Sequence, residues 1–297
     1  MKKSPLKRFF KEFTIFDAVV TAILLFVLFI TLYPVLYVFS ISFSSVAAVN
    51  SGNITFYPRG FNLEAYKSIL SSPKIPQAYM NSILYTSVGT VFSILFTVVT
   101  AYPLSKQNLV FRKQIMLFII ITMFFSGGLI PIYLLIRSLG LLDSMWALVL
   151  PGFISTFDLL VMKSFFEGVP EEMYEVAHID GASEIRILFS IYIPISTAAI
   201  ATIGLLYMMA NWNAFLAPSI YFVTPTKYPL QVILREMLLQ DRFDGGTNST
   251  NLDVIRLAST QGMKNATIVL TILPMMMIYP FLQKYFAKGI MLGAVKG

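Results

Sequence analysis

The chain has 297 residues, 57% of them hydrophobic and only 12% charged, with a mean hydropathy of +0.74 and a formal net charge of +7. Soluble domains carry about a quarter charged residues, so a soluble globular fold is excluded and an all-α, polytopic membrane protein with one membrane domain is expected. The absence of cysteine excludes disulfides, thiol chemistry and cysteine-based metal sites, and the basic residues cluster beside apolar runs, so they are no nucleic-acid signature.

Residues 1–15 are basic, with Lys2, Lys3, Lys7, Arg8 and Lys11. The apolar run that follows, from about Phe16 to Phe43, is too long for a signal-peptide core and long enough to span a bilayer, so it is read as a retained first span. Further runs near 79–104, 113–137, 145–166, 188–217 and 265–287 bring the expected number of transmembrane helices to six, within a domain at about 16–287. The runs are continuous rather than alternating, which excludes a β-barrel pattern. Pro34, Pro103, Pro131 and Pro274 are candidate kinks or ends. Two connections are long. Residues 44–78 carry a probable short helix at Leu63 to Leu70, and residues 218–264 carry a helical pattern from Tyr228 to Gln240, then a polar run with a turn at Gly245 and Gly246. Lys106, Arg112 and Lys113 in the second connection, and Lys284, Lys288 and Lys296 near the end, match the basic N-terminal segment. The positive-inside rule then puts both termini (1–15 and 288–297) and the loop at 167–190 in the cytoplasm. The long loops fall outside, where their size suits an extracytoplasmic partner.

Polar residues inside the spans are the candidates for a substrate path. Asp158 is an ionisable group in span four; it either borders a transport path or is solvated toward a cavity or paired with another span. Asn211, Trp212 and Asn213 stand near the outer end of span five. Amides bind sugar hydroxyls and an indole stacks on a sugar ring; equally, Trp212 is an interfacial anchor and the asparagines bond between helices. Three consecutive helical residues point about 100° apart, so at most two share a cavity. Asn81, with Ser82, is a weaker candidate of the same kind. The FSGGLIP run from Phe125 to Pro131 is read first as close helix packing, with a pore-lining bend as the alternative.

The most polar segment between two spans runs from Glu175 to Pro194, EVAHIDGASEIRILFSIYIP. Pro170 at a first helical position and Glu171 and Glu172 against the helix dipole predict a helix start. The helix runs about ten residues to Gly181, a left-handed cap, and Ser183 caps a second helix. Met173, Val176, Ala177 and Asp180 share one side, a small-residue face suited to a partner's groove. The lone His178 reads as a solvated or packed side chain. By the order and spacing of Glu175, Ala177, Asp180, Gly181, Ala182 and Pro194, the segment resembles the EAA loop of inner-membrane permeases of binding-protein-dependent ABC importers. Val176 departs from the family's alanine. The NWNAFLAP run looks like the carbohydrate branch of that family, and FSGGLIP with the tail KGIMLGAVKG looks like its large-oligosaccharide, alginate-type members.

The resemblance implies the type I ABC importer permease architecture, a maltose-importer-type fold in a bacterial cell membrane. It implies a second homologous permease, two copies of a cytoplasmic ATPase docked on the EAA loops, an extracytoplasmic solute-binding protein and a carbohydrate substrate. ATP and magnesium belong to the ATPases. This chain has no phosphate-binding loop, no HExxH or GxSxG motif and no histidine cluster, so no cofactor, metal or catalytic residue is assigned to it. An importer of a non-sugar solute and an ion-coupled secondary transporter stay open as alternatives; the latter would need membrane carboxylates, of which only Asp158 stands out, and no repeat is evident.

Overall fold

A computed structural model describes residues 14–244 and 260–280. The turn at Gly245 and Gly246, the basic N-terminal residues up to 13, Lys284, Lys288, Lys296 and the KGIMLGAVKG tail lie outside them. Among the described residues the regular structure is entirely helical. The chain divides into two compact units, residues 1–71 with 243–270 and residues 72–242 with 271–297.

In the first unit, α1 (Ile15–Ser42) opens on a capping box in which the Thr14 side chain accepts from the Asp17 amide and the Asp17 carboxylate accepts in return. Thirteen of its eighteen side chains from Ile15 to Leu32 are exposed large hydrophobics, as suits a helix surrounded by hydrocarbon. Pro34 lies inside the helix without ending it. The turn after α1 leads into α2 (Val46–Asn50) and, further on, α3 (Glu64–Ser71). Tyr66 donates to Ser42 Oγ at 2.9 Å and stacks on Phe43, whose other neighbour is Phe61.

In the second unit the central element is α4 (Lys74–Ser105). Ser82, Thr86, Gly89, Thr90, Ser93, Thr97 and Ala101 recur at helical spacing along its buried face. Side chains this small let neighbouring helices approach, the usual basis of helix association in a bilayer. Among the described residues the further α-helices that begin in this unit are α5 (Arg112–Phe124), α6 (Leu129–Ser138), α7 (Trp146–Val149), α8 (Thr156–Glu167), α9 (Glu171–Ile179), α10 (Glu184–Ile195), α11 (Thr197–Trp212), α12 (Leu216–Tyr221) and α13 (Leu230–Asp244). The last described helix, α14 (Thr260–Pro280), crosses the division between units.

Among the described residues three helices, α1, α4 and α14, are long and apolar enough to cross a membrane alone. Three further spans arise from bent pairs: α5 with α6 at 111°, α7 and its 3-10 extension to Gly152 with α8 at 49°, and α10 with α11 at 84°. Counting each pair as one span gives six. Spans three to five, expected near 113–137, 145–166 and 188–217, are thus each a bent pair of helices. Span three breaks at the FSGG run, where Gly128 takes φ +80° and begins α6. A Cβ on Gly128 would meet nothing within 4 Å. Within this chain the left-handed backbone of the bend accounts for Gly128. Span five bends at Ser196, just after Pro194 and a five-residue π-helical stretch at Leu188–Tyr192.

Candidate functional site

The loop between spans four and five folds from its caps outward. Pro170 stands one position before the predicted one, as the N-cap of α9, with Glu171 and Glu172 in the first turn. Asp180 caps the C-terminus, and Gly181 follows at φ +75°. The Gly181 amide donates to His178 O and the Ala182 amide to Ala177 O, each at 3.0 Å, closing the last turn. A Cβ on Gly181 would meet nothing within 4 Å in this chain, so the left-handed backbone alone accounts for the glycine. The Ser183 hydroxyl then caps α10, accepting from the Arg186 amide at 3.4 Å.

The two faces of α9 differ from the expected single small-residue face. Ala177 and Tyr174, with Ala182 beyond the helix, pack against the buried cluster built around Leu159, Met162, Phe166, Ile187 and Ile203. Small residues here seat α9 on its own chain. The outward face carries Met173, Val176 and Ile179, exposed by 43%, 61% and 83%, with Glu175 and Asp180 exposed nearby. Ile179 was readable at spacing three from Val176 and belongs with the outward face; Ala177 belongs with the inward one. His178 is exposed and its ring stacks on Tyr174 at 5.7 Å.

Tyr174 makes the polar link between α9 and the spans. Its hydroxyl donates to Glu184 Oε1 at 2.7 Å, which holds the phenol above its ordinary pKa. Glu184 Oε2 accepts from Tyr102, near the end of α4, at 2.5 Å. Lys106, one residue past α4, donates to the Tyr192 hydroxyl at 2.7 Å; burial pulls its ammonium below the ordinary lysine value, against the Glu184 and Glu171 carboxylates. The same turn is tied to α8 through an Arg112–Glu167 ion pair, which Lys163 joins at 2.8 Å. In sequence Lys106 counted only as an orienting charge. Lys106 meets Tyr192 across 86 residues and Tyr102 meets Glu184 across 82, separations that no local pattern announces.

The candidate path residues are placed apart in role. Trp212 is only 4% exposed, and its Nε1 donates to Thr271 O at 3.0 Å while Tyr79 meets it edge-on. Its indole faces are packed within the chain, which corrects the reading of Trp212 as a ring open to stack on a sugar. Asn213 caps α11 and donates to Met209 O at 2.8 Å. Asn81 donates to Thr226 O and Tyr228 O at 2.8 and 3.1 Å, and Ser82 Oγ accepts from the Leu230 amide at 2.8 Å. Both therefore hold the segment before α13 against α4. Asn211 donates to Thr90 Oγ1 at 3.5 Å and borders a cavity of about 60 Å³, with Ser82, Tyr85, Leu148, Pro218 and Pro229. Asp158 is 6% exposed; its Oδ1 lacks a hydrogen-bond partner, beside a network in which Tyr207 Oη accepts from the Ser155 amide at 2.9 Å and meets Thr97 Oγ1 at 2.7 Å. Among the described residues no cluster of His, Asp and Glu is placed to hold a metal.

At the far ends of spans three and five, Asp143 sits at φ +59° and accepts the Val223 and Thr224 amides at 3.1 Å each. Its Oδ2 accepts from Thr224 Oγ1 at 2.6 Å and from Lys227 at 2.8 Å. The Lys227 bond first, then those from Thr224, hold the Asp143 carboxyl well below the usual carboxylate range.

An all-helical membrane protein with broken spans and a short helix seated on the span ends, its apolar outer face left open, has the build of a transport permease subunit. The chain belongs to the family of binding-protein-dependent transport system inner membrane components, whose profile matches residues 78–292. It is 42% identical over 271 residues to Protein LplC of Bacillus subtilis (strain 168), covering 90% of each chain. It is 38% identical over 289 residues to the polygalacturonan/rhamnogalacturonan transport system permease protein YtcP of the same organism, covering 95% of this chain and 99% of that one. Among solved structures it is similar to a chain of a bacterial ABC transporter involved in the import of the acidic polysaccharide alginate, at 33% identity and a TM-score of 0.82, covering 96% of this chain and 99% of that one.

Proposed function

We propose that this chain forms half of the translocation path of an ABC importer for an oligosaccharide, and that its α9 loop receives a cytoplasmic ATPase. The observation that carries the substrate class is the near full-length likeness to a permease named for polygalacturonan and rhamnogalacturonan transport and to a chain of an alginate importer. In this reading the other half is a second, homologous permease. Two ATPase subunits carry ATP and magnesium, and an extracytoplasmic binding protein delivers the substrate. The chain lies in the cytoplasmic membrane with both termini inside.

The exposed Met173, Val176 and Ile179 then enter the ATPase groove, while Glu175 and Asp180 meet its basic rim. Closure of the ATPase dimer on ATP moves the two α9 helices together and switches the permease pair between inward and outward access. The bent spans are what such a motion acts on. Within the path, Asn211 is the substrate-facing member of the Asn211–Trp212–Asn213 triplet, and Asp158 is a buried carboxylate that the path exposes in its other state.

The test is co-purification of the chain with its partner permease and ATPase, followed by ATP turnover in lipid nanodiscs. Binding protein plus alginate oligosaccharides or oligogalacturonides is expected to raise turnover above the basal rate. Stimulation by a non-sugar solute and by none of a panel of acidic and neutral oligosaccharides would overturn the substrate class. Failure to recover any ATPase would overturn the importer reading itself.

A further inference from the structure

The turn after α4 holds a lysine in surroundings that a solvated charge does not need. Lys106 Nζ lies 3.4 Å from the Tyr174 ring centroid, 4.4 Å from that of Tyr192 and 5.0 Å from that of Tyr102. All three are within the range of cation–π attraction. The Tyr102 and Tyr192 rings also meet edge to face at 5.0 Å, and each makes a similar contact with the fully buried Phe166 of α8. Around this cage, Glu184 takes the Tyr102 and Tyr174 hydroxyls on its two oxygens, at 2.5 and 2.7 Å. One ammonium and one carboxylate thus fasten together the end of α4, the middle of α9 and the first two turns of α10.

The two ions do different work. A ring face attracts a cation without imposing one bond direction, so the ammonium holds three rings while tolerating small rotations. The carboxylate fixes the spacing of two hydroxyls, because each charge-assisted bond is short and directional. Removing either leaves the helices in contact through Ala177 and Ala182 but frees α9 to pivot on them.

We propose that Lys106 is a positioning residue of the coupling step: with Glu184 it clamps α9 to the adjoining ends of α4 and α10, so that a push on α9 moves both spans as one body. This rests on the reading of α9 as the segment that receives the ATPase. It assigns the transmission of force to a tyrosine cage about Lys106, of which Glu184 and Tyr192 lie within the Glu175–Pro194 stretch but outside its characteristic residues.

The experiment uses the whole complex with its ATPase, partner permease and binding protein, and alginate oligosaccharides and oligogalacturonides as probes. Lys106→Met keeps the stem and removes the charge; Lys106→Arg restores a cation; Tyr174→Phe keeps the ring and removes its bond to Glu184. Lys106→Met is expected to assemble with the ATPase at the parental yield yet lose roughly tenfold in the ratio of probe-stimulated to basal turnover, in the usual range of coupling effects. Tyr174→Phe should fall between it and the parent, and Lys106→Arg should recover most of the ratio. A parental ratio in Lys106→Met, a loss that Lys106→Arg does not recover, or a loss that merely tracks falling complex yield would overturn the clamp. An unstimulated parent complex would instead overturn the underlying importer reading. Because the chain has no cysteine, spin labels at Val110→Cys and Glu172→Cys give a second readout. Their distance should keep one narrow distribution through the ATP cycle in the parent and broaden in Lys106→Met. A distribution that shifts with ATP in the parent, or is equally narrow in both, would overturn it as well.

Discussion

Gly89 and Gly204 lie on facing helices and look alike in sequence, but their neighbours set different tolerances. A Cβ on Gly89 would stand 2.9 Å from Asn211 Nδ2 and 3.1 Å from its Cγ, whereas one on Gly204 would stand 2.9 Å from Ile94 Cδ1, the tip of a flexible chain. Overpacking a well-filled site costs about 1–3 kcal/mol, and alanine regains about 1 kcal/mol of helix propensity. Gly89→Ala should therefore destabilise the protein by up to roughly 2 kcal/mol, while Gly204→Ala is neutral or stabilising by up to about 1 kcal/mol because Ile94 rotates away. Thermal unfolding in detergent checks this; equal shifts in the two variants would show that the Asn211 amide yields as easily as the isoleucine tip. Trp212 gives a sharper contrast between packing and path. Trp212→Phe removes the bond to Thr271 O, worth about 1 kcal/mol. It should lower thermal stability and leave the ratio of glycan-stimulated to basal ATP turnover unchanged. A changed ratio at parental stability would return the indole to the substrate path.

Among the elements, the outer face of α9 and the Asp143 staple present different kinds of force. The outer face of α9 is apolar, and burying three such side chains contributes several kcal/mol (about 1.5–3 for each one fully buried). Replacing Met173, Val176 and Ile179 together by Ser should weaken ATPase association by at least about tenfold, with membrane insertion intact. Unaltered co-purification would place the contact elsewhere on the loop. The staple is electrostatic. The folded pKa of Asp143 is depressed, so its contribution is present above the unfolded value of about 3.9 and is lost as pH falls through the lower folded value. Protection of the Val223 and Thr224 amides from hydrogen exchange, corrected for intrinsic rate, should be the same at pH 7 and pH 5. It should be lost at both in Asp143→Ala. A loss of protection between pH 7 and pH 5 in the parent would show that another group titrates there. Of the two, α9 was partly legible: its start, the Gly181 turn and the Ser183 cap are local chemistry. The staple was not, because Asp143 meets partners 80 to 84 residues away.

At the level of the whole molecule, sidedness follows from where Lys and Arg concentrate beside the spans. If α5 and α6 form one broken span, the turn after α4 and the end of α6 lie on opposite sides of the membrane. Val110→Cys should then react with an impermeant maleimide only in permeabilised spheroplasts, and Ser138→Cys in intact ones. Labelling of both from the same side would make the 111° bend at FSGG a re-entrant loop and change the number of crossings.

Composition and the length of the apolar runs determined by themselves that the chain is a helical membrane protein, because a bilayer accepts only segments that satisfy their own backbone. The order and spacing from Glu175 to Pro194 determined where the helix–turn–helix between spans would form, because caps and a left-handed glycine act over a few residues. Only the tertiary structure decided that spans three to five are broken and that Asn81 and Trp212 serve packing. It alone gathered Lys106 with Tyr102, Tyr174, Tyr192 and Glu184. The physical reason is that a polar side chain in an apolar surrounding takes whichever partner the fold brings within about 3 Å, and here most of those partners come from elements distant along the chain.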